Sequence, residues 1–240
     1  MKRTRRWSRR LRDAGLCAIL DDGLGDAGAL VRMARALSRS GVSFFQLRAK
    51  NASDGEFLGL AVRLRKELAG RLFLINDRCD VALAARADGV HLGQDDLPAS
   101  EARHLLGREA LVGVSAGSPS ELARVLRDSP DYVSLGPVYS TSTKKDAGHP
   151  LGPAGFARLI QRVPPRVPVL AVGGITPDNV CILVRAGADA VAAASCWWRA
   201  AHPGRAARDF LAIVARARGQ IRTARSRAAW RHAHTNAGGE

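Results

Sequence analysis

The sequence predicts an α/β protein of the (β/α)8 TIM-barrel class. Eight short apolar runs alternate with stretches of helical periodicity over about 200 residues, the size of one such barrel. The runs are rich in Val, Leu, Ile and Phe without strict alternation, which is typical of strands covered on both faces. They lie at Leu16–Leu20, Phe44–Leu47, Leu72–Ile75, Gly89–Leu92, Leu111–Val114, Tyr132–Leu135, Val167–Val172 and Ala190–Ala194. An open doubly wound sheet is the alternative, but residues 21–25 lack the G-x-G-x-x-G spacing that such a sheet usually carries after its first strand.

Helical periodicity follows the first two apolar runs. Residues 27–39 and 54–69 each place apolar side chains on one stripe that can pack against the strands. Ser53 and Glu56 have the spacing of a capping box, which satisfies backbone N–H groups at a helix start. The sequence therefore predicts two helices, and the second begins directly after Ser53.

The second half of the chain continues the alternation. Thr176 followed by Pro177 predicts a helix start, with the helix at about 178–186 and Gly187 at its end. A last helix is predicted from about residue 205 into an arginine-rich segment. These elements complete the seventh and eighth units of the barrel.

Positive charge is concentrated at the two ends of the chain. The net charge is +15, yet residues 13–204 carry only +2 of it. We interpret the ends as solvated tails rather than as a nucleic-acid interface. The predicted organisation is a basic N-terminal tail at 1–12, one barrel domain at 13–218, and a basic, disordered C-terminal tail at 219–240.

The composition is that of a cytoplasmic globular protein. Hydrophobic residues make up 46% of the chain, and no apolar run approaches the roughly 20 residues of a membrane helix. The basic start lacks the apolar stretch of a secretion signal. The four cysteines lie far apart without a C-x-x-C pair, so we interpret them as reduced thiols. A homo-oligomer is compatible with the sequence, and no membrane partner is expected.

Polar residues follow the second predicted strand, at the end where a barrel builds its active site. Gln46, Arg48 and Lys50 are alternate residues, so they share a direction. An Arg and a Lys at one strand exit can clamp a phosphate, whereas a surface charge pair is the plain alternative.

Two acids at neighbouring strand exits predict a cation site. The third strand ends in Asn76 and Asp77, and Asp96 follows the fourth, with Asp95 as a spare. Mg²⁺ takes a few carboxylates and completes its shell with water and phosphate oxygens, so Asp77 and Asp96 are the candidate pair. Helix capping by Asp77 and solvation of the other acids are the alternatives. His91 is expected to be hydrogen-bonded inside the barrel, because no second His or Cys stands at zinc-ligand spacing.

The loop after the sixth strand offers hydroxyls and amines. Thr141 and Thr143 stand at alternate positions and Lys144 follows them. Hydroxyl and backbone donors bind the oxygens of an anion, and an ammonium neutralises its charge. Ser115, after the fifth strand, lacks the G-x-S-x-G elbow of a serine nucleophile and is expected to form hydrogen bonds.

A further phosphate seat is predicted after strands seven and eight, where barrels often bind phosphate with backbone N–H groups. Gly173 and Gly174 follow the seventh strand and would let the backbone approach the phosphate closely, and Ser195 follows the eighth. Two anion seats at one mouth, without a nucleophile and its partner base, argue against covalent hydrolysis. They favour a displacement in which Mg²⁺, Arg and Lys stabilise a departing pyrophosphate.

Seven motifs occur in order over about residues 16–200. They are Gln46-x-Arg48-x-Lys50, Asn76-Asp77-Arg78, His91-Leu92-Gly93-Gln94-Asp95-Asp96, Gly113-Val114-Ser115, Gly136-Pro137-Val138-Tyr139-x-Thr141-x-Thr143-Lys144, Gly173-Gly174-Ile175 and Ser195. Together they closely resemble the thiamine phosphate synthase family. The chain departs from the family after Ser195, where Cys196-Trp197-Trp198 replaces small or aliphatic residues.

The resemblance implies a transferase with Mg²⁺ as cofactor. It would join hydroxymethylpyrimidine pyrophosphate to hydroxyethylthiazole phosphate and yield thiamine phosphate and pyrophosphate. The family reaction is regarded as dissociative, with pyrophosphate leaving before the thiazole nitrogen attacks a pyrimidine carbocation. The implied metal ligands are Asp77 and Asp96. The implied pyrophosphate contacts are Arg48, Lys50, Asn76, Ser115 and Lys144, and Gln46 would help to hold the pyrimidine ring. The implied thiazole phosphate seat is formed by Thr141, Thr143, Gly173, Gly174 and Ser195.

Two other functions remain as alternatives. Thiazole tautomerase is a related barrel with the same thiazole phosphate seat, but Asp77, Asp96 and Arg48 together with Lys144 favour the synthase. A nucleic-acid-binding protein could use the basic ends, although we do not expect nucleic acid as a partner. If the ends are tails, a chain without residues 1–12 and 219–240 keeps its activity.

Overall fold

Eight parallel strands close into a barrel in which every strand pairs with its neighbours in chain order and β8 returns to β1. This computed structural model describes residues 2–143 and 148–235, with side chains at 6–143 and 148–220. The strands are β1 Leu16–Asp21, β2 Phe44–Arg48, β3 Leu72–Asn76, β4 Gly89–Leu92, β5 Leu111–Ala116, β6 Tyr132–Leu135, β7 Val169–Val172 and β8 Ala190–Ala193. The predicted barrel is confirmed, and the open sheet is excluded.

Helices surround the barrel and close its base. They are α1 Lys2–Ala14, α2 Ala27–Arg39, α3 Asp54–Glu67, α4 Cys79–Ala84, α5 Ala99–Leu106, α6 Pro119–Leu126, α7 Gly152–Ile160, α8 Val180–Arg185 and α9 Pro203–Thr235. Helix α2 has the predicted bounds, and α3 starts with the predicted capping box of Ser53 and Glu56. Within the described part of the chain, none of these helices is both long and apolar enough to span a membrane.

Helix α8 begins two residues later than predicted. Its N-cap is Asn179, whose side-chain Oδ1 accepts from the N–H of Thr176 and whose Nδ2 donates to the carbonyl of Gly174, both at 2.9 Å. These two bonds close a turn over residues 174–179. The Thr-Pro pair therefore belongs to that turn, because the Asn179 amide competes successfully for the backbone groups.

The cluster of side chains that fills the barrel interior includes the aromatic ring of Tyr132, the first residue of β6. Tyr132 is fully buried, and its ring stacks on His91 and meets Phe44 edge-on. Gly113 makes this possible, since a Cβ at that position would lie 2.0 Å from the Tyr132 ring. The glycine of the Gly113-Val114-Ser115 motif thus provides space for an aromatic side chain below the site.

The N-terminal basic segment differs from the solvated tail predicted at 1–12. It forms α1, in which Trp7, Leu11 and Ala14 are buried against side chains of the barrel interior. The Trp7 indole N–H donates to the carbonyl of Glu109 at 3.1 Å. These three residues have the i, i+4, i+7 spacing of an amphipathic helix, so they form an apolar stripe on the face of α1 that contacts the barrel.

The C-terminal segment also differs from the prediction of disorder, because α9 continues as helix to Thr235. Near residue 218 this helix meets the base of the barrel. The Arg218 guanidinium donates to the carbonyl of Arg12 at 2.6 Å and also to the carbonyl of Asp189. The two basic ends are therefore joined to each other and to the barrel at Arg218.

Candidate active site

A cavity of about 400 Å³ opens at the carboxyl ends of the strands. Every predicted site residue in the described part of the chain lines it: Gln46, Arg48, Lys50, Asn76, Asp77, Asp96, Ser115, Thr141, Thr143, Gly173, Gly174 and Ser195. Lys144 lies outside the described residues. The predicted positions therefore converge on one cavity, and their roles in binding stay predictions.

Asp77 and Asp96 line the same part of the cavity, and their carboxyl groups are close enough to influence each other's charge. Burial, and then the hydrogen bond with Asp77, raise the pKa of Asp96. The Asp96 carboxylate also accepts from the N–H of Gly93 at 2.6 Å. Two acids this close favour a cation between them, because like charges in a partly buried site repel each other.

Asp77 has an unusual backbone conformation. Its φ is +65°, and its N–H donates to the carbonyl of His91 at 2.8 Å. Non-glycine residues in the left-handed region are uncommon and often occur at functional sites. Arg78 takes the N-cap position of α4, so Asp77 does not have the capping role considered as its alternative.

The two cations of the β2 exit are each paired with an acid. Arg48 Nη1 lies 2.8 Å from Oδ2 of Asp21, which is 1% exposed, and Lys50 Nζ lies 2.5 Å from Oδ2 of Asp77. The hydrogen bond with Asp77 raises the pKa of Lys50, which stays charged. Asp21 was not predicted as a site residue, although it is the last residue of β1 and so stands at a strand exit like the other site residues.

A neighbouring acid fixes the loop that carries Lys50. The Asp22 carboxylate accepts from the backbone N–H groups of Lys50, Asn51 and Ala52 at 3.1, 2.7 and 3.1 Å. Such an acceptor holds three successive residues in one conformation. Asp22 therefore positions Lys50 at the rim without lining the cavity itself.

Ser115 lies at one end of a buried hydrogen-bonded chain. His91 Nε2 is 2.8 Å from the Ser115 Oγ, and His91 Nδ1 is 2.8 Å from the Tyr132 hydroxyl. His91 is hydrogen-bonded inside the barrel, as predicted. The Ser115–His91 contact was missed, because the sequence spacing gives no sign of it. Tyr132 rather than a carboxylate meets Nδ1, so the arrangement lacks the acid that stabilises the imidazolium of a catalytic triad.

Side-chain amides hold neighbouring strand exits together. Gln46 Nε2 donates to Asn76 Oδ1 at 2.7 Å and so joins the exits of β2 and β3. Gln94 Nε2 donates to the carbonyl of Ser115, and Arg124 donates to the Gln94 side-chain oxygen at 2.5 Å. These bonds preorganise the wall that carries Asn76 and Ser115.

The glycine turn after β7 meets the loop after β6. Gly173 and Gly174 have φ of +95° and +61°. A Cβ on Gly173 would lie 2.5 Å from Cβ of Pro137, and one on Gly174 would lie 2.6 Å from the carbonyl oxygen of Ser140. Both glycines are thus required by backbone conformation and by close packing of the two loops, in addition to any ligand.

One cation at the mouth was not predicted. Arg199 lies in the turn after β8, lines the cavity and is exposed. Among the residues that the structure describes, none forms a hydrogen bond or ion pair with its guanidinium. Arg199 stands four positions after Ser195, inside the turn rather than at the strand exit, where site residues were predicted.

Comparison with known proteins agrees with this geometry. The family model described as thiamine monophosphate synthase matches residues 16–196. The thiamine-phosphate synthase of Moorella thermoacetica is 40% identical over 207 residues, which cover 85% of this chain and 98% of the relative. That of Chlorobium luteolum is 41% identical over 201 residues, covering 83% and 92%. A solved structure of thiamine phosphate pyrophosphorylase from Pyrococcus furiosus matches with a TM-score of 0.76 and 30% identity, covering 87% of this chain and 98% of that one.

Proposed function

The chain belongs to the thiamine monophosphate synthase family, and from this premise we propose that its cavity performs the family reaction with Mg²⁺ held by Asp77 and Asp96. The reaction joins hydroxymethylpyrimidine pyrophosphate to hydroxyethylthiazole phosphate, forms thiamine phosphate and releases pyrophosphate. The single observation that supports this assignment of residues is the convergence of two groups on one cavity. Acids, cations and Ser115 come from the exits of β2 to β5, and the glycine turn and Ser195 come from those of β7 and β8.

The donor set around Asp77 fits Mg²⁺ as an ion shared with substrate. Within the described residues, no cluster of three or more His, Cys, Asp or Glu has metal-binding geometry. Two carboxylates alone suit Mg²⁺ when water and diphosphate oxygens complete its octahedron. When bound, Mg²⁺ would offset the negative charge that gathers on the departing pyrophosphate.

The residues of the β2 exit then act on the same leaving group. Lys50 stands at the rim beside Asp77, and its charge lies next to the proposed diphosphate. The ion pair with Asp21 holds the Arg48 guanidinium in one orientation, so its remaining N–H groups donate to phosphate oxygens from a fixed position. A preorganised cation stabilises developing negative charge without rearranging during the reaction.

Ser115 supplies a neutral donor at the exit of β5. Burial raises the pKa of Tyr132, so its hydroxyl stays protonated, and with His91 as the Nε2–H tautomer it donates to His91 Nδ1. The other ring nitrogen then carries the proton and donates to Ser115 Oγ, which leaves the Ser115 hydroxyl proton for a phosphate oxygen. The buried chain thus orients a donor rather than activating a nucleophile.

The decisive test is an assay of purified protein with both substrates. We expect pyrophosphate release to require the pyrimidine pyrophosphate, the thiazole phosphate and Mg²⁺ together, and to stop when the metal is chelated. Isomerisation of the thiazole without coupling would instead indicate a tautomerase. Coupling that proceeds unchanged after chelation would contradict the metal assignment but not the family reaction.

The same assay tests the glycine turn. In Gly174→Ala, the new Cβ would meet Ser140 and Tyr139 at a backbone conformation that alanine disfavours, so the loop carrying Thr141 must shift. We expect the KM for the thiazole phosphate to rise about tenfold, since small displacements of positioning groups are costly. The KM for the pyrimidine pyrophosphate should change much less. Gly59→Ala, at a site with open space around it, is the matched control.

The free cysteines support a reducing compartment. Cys17, Cys79, Cys181 and Cys196 are all unpaired. Burial raises the pKa of the Cys196 thiol to about 12, so this residue is unreactive despite its position beside Ser195. We accordingly place the reaction in the cytoplasm.

A further inference from the structure

We propose that Arg199 binds the phosphate of the thiazole substrate and selects the phosphorylated thiazole over its unphosphorylated alcohol. The inference rests on the proposed function, because it assigns a residue to one of the two anion seats. Arg199 lies at the end of the turn formed by residues 195–199 and lines the cavity together with Gly173, Gly174 and Ser195.

The charges at the mouth distinguish Arg199 from the other cations. Arg48 is paired with Asp21 and Lys50 with Asp77, so a carboxylate already offsets part of the charge of either cation. Arg199 has no such partner within the described residues. A guanidinium without a carboxylate partner can give both arms of its fork to phosphate oxygens. Arg199 therefore complements the backbone donors of the glycine turn, which carry no full charge.

The turn that carries Arg199 is anchored on both sides by tryptophans. Trp197 is 1% exposed, donates to the carbonyl of Ala193 at 3.2 Å and packs on Phe210 of α9 with ring centroids 5.6 Å apart. These contacts of Trp197 fix the turn to β8 and α9.

Trp198 fixes the other side of the turn to the loop after β1. Its ring lies over Gly25, where a Cβ would be 2.5 Å from the ring atom Cη2. The Trp198 indole nitrogen is buried without a hydrogen-bond partner in the described part of the chain. Trp198 therefore acts by packing, and the tryptophan pair that departs from the family pattern holds Arg199 at the mouth.

Calorimetry with hydroxyethylthiazole phosphate alone tests the proposal without turnover. Arg199→Gln should weaken binding about tenfold, on the scale of a lost charge-assisted hydrogen bond at an exposed site. Arg199→Lys should recover part of the loss, because it keeps the charge without the fork. Arg205→Gln, which removes an exposed arginine paired with Asp209 outside the cavity, should bind as the unaltered chain does.

Steady-state kinetics give the second readout. Arg199→Gln should raise the KM for the thiazole phosphate by a similar factor. Its kcat, its KM for the pyrimidine pyrophosphate and its rate with the unphosphorylated thiazole should stay unchanged. The proposal is overturned if Arg199→Gln and the unaltered chain bind the thiazole phosphate equally. It is also overturned if the unaltered chain does not bind the thiazole phosphate at all. If the unaltered chain binds the thiazole phosphate but never couples the substrates, the proposed function fails while calorimetry still decides the role of Arg199.

The anchoring role has its own pair of variants. Trp198→Phe loses no hydrogen bond but lacks the outer indole atoms Cζ3 and Cη2 that lie over Gly25, so it should weaken binding of the thiazole phosphate less than Trp198→Ala does. Trp198→Ala should weaken binding in the direction of Arg199→Gln, because the turn loses its contact with Gly25. Normal binding by Trp198→Ala would show that Arg199 is held without this contact.

Discussion

Replacing Asp96 by asparagine should lower kcat by about 10²-fold or more, the scale on which a lost electrostatic contact affects a transition state. Asparagine keeps the size of the side chain and an oxygen that can accept from Gly93, so the loop after β4 should stay in place. What is lost is one of the two negative charges that meet at the proposed metal site. The measurements are kcat at saturating substrates and a Mg²⁺ titration, in which the variant should need more metal.

A matched control separates this effect from a general loss of charge. Asp209→Asn removes an exposed carboxylate on α9, which among the residues with described side chains pairs only with Arg205 one turn earlier. Surface pairs of this kind contribute little, so kcat and stability should be nearly unchanged. An Asp96→Asn variant with an unaltered rate and an unaltered Mg²⁺ requirement would remove Asp96 from the metal site.

The barrel could be predicted because its strands leave a strong and repeated pattern. Strands such as Phe44–Arg48 and Leu72–Asn76 are buried on both faces, so an apolar run in the sequence is enough to predict them. The capping box at Ser53 could also be predicted, because both of its hydrogen bonds join residues that are close in sequence. The start of α8 could not, since the Asn179 side chain bonds back to Gly174 and moves the helix start beyond the Thr-Pro pair.

The positions of the site followed from the barrel, but its internal partners did not. Arg48 and Lys50 could be placed at the β2 exit from alternation alone. Their pairing with Asp21 and Asp77 depends on which strands are neighbours and on side-chain rotamers, which no local spacing encodes. The contact between His91 and Ser115 crosses from β4 to β5 in the same way. The sequence therefore predicted which residues line the cavity, and the structure shows which of them form hydrogen bonds or ion pairs with one another.

The N-terminal helix shows how composition can conceal a packing element. Seven Lys or Arg among the first 12 residues suggested a solvated tail. Two of these arginines instead lie over Trp7, with the Arg6 and Arg10 guanidinium carbons 4.9 and 5.4 Å from the ring centroid. Since Trp7 and Leu11 are buried, removing residues 1–12 should destabilise the barrel, in contrast to the expectation from sequence that the shortened chain behaves normally.

Trp7→Ala should therefore lower the free energy of unfolding by about 3–5 kcal/mol, the usual cost of removing a buried tryptophan side chain. The variant loses the packing against the barrel base and the hydrogen bond to Glu109, which lies at the opposite end of the strands from the cavity. Below the unfolding transition, kcat should stay within about twofold of the unaltered chain, because nothing at the mouth has moved. Denaturant unfolding measures the loss, and Arg9→Ala is the control, since the 86% exposed Arg9 side chain on the same helix should change stability by no more than about 0.5 kcal/mol. If Trp7→Ala and Arg9→Ala unfold at the same denaturant concentration, the helix contributes nothing to the fold and the tail interpretation is correct.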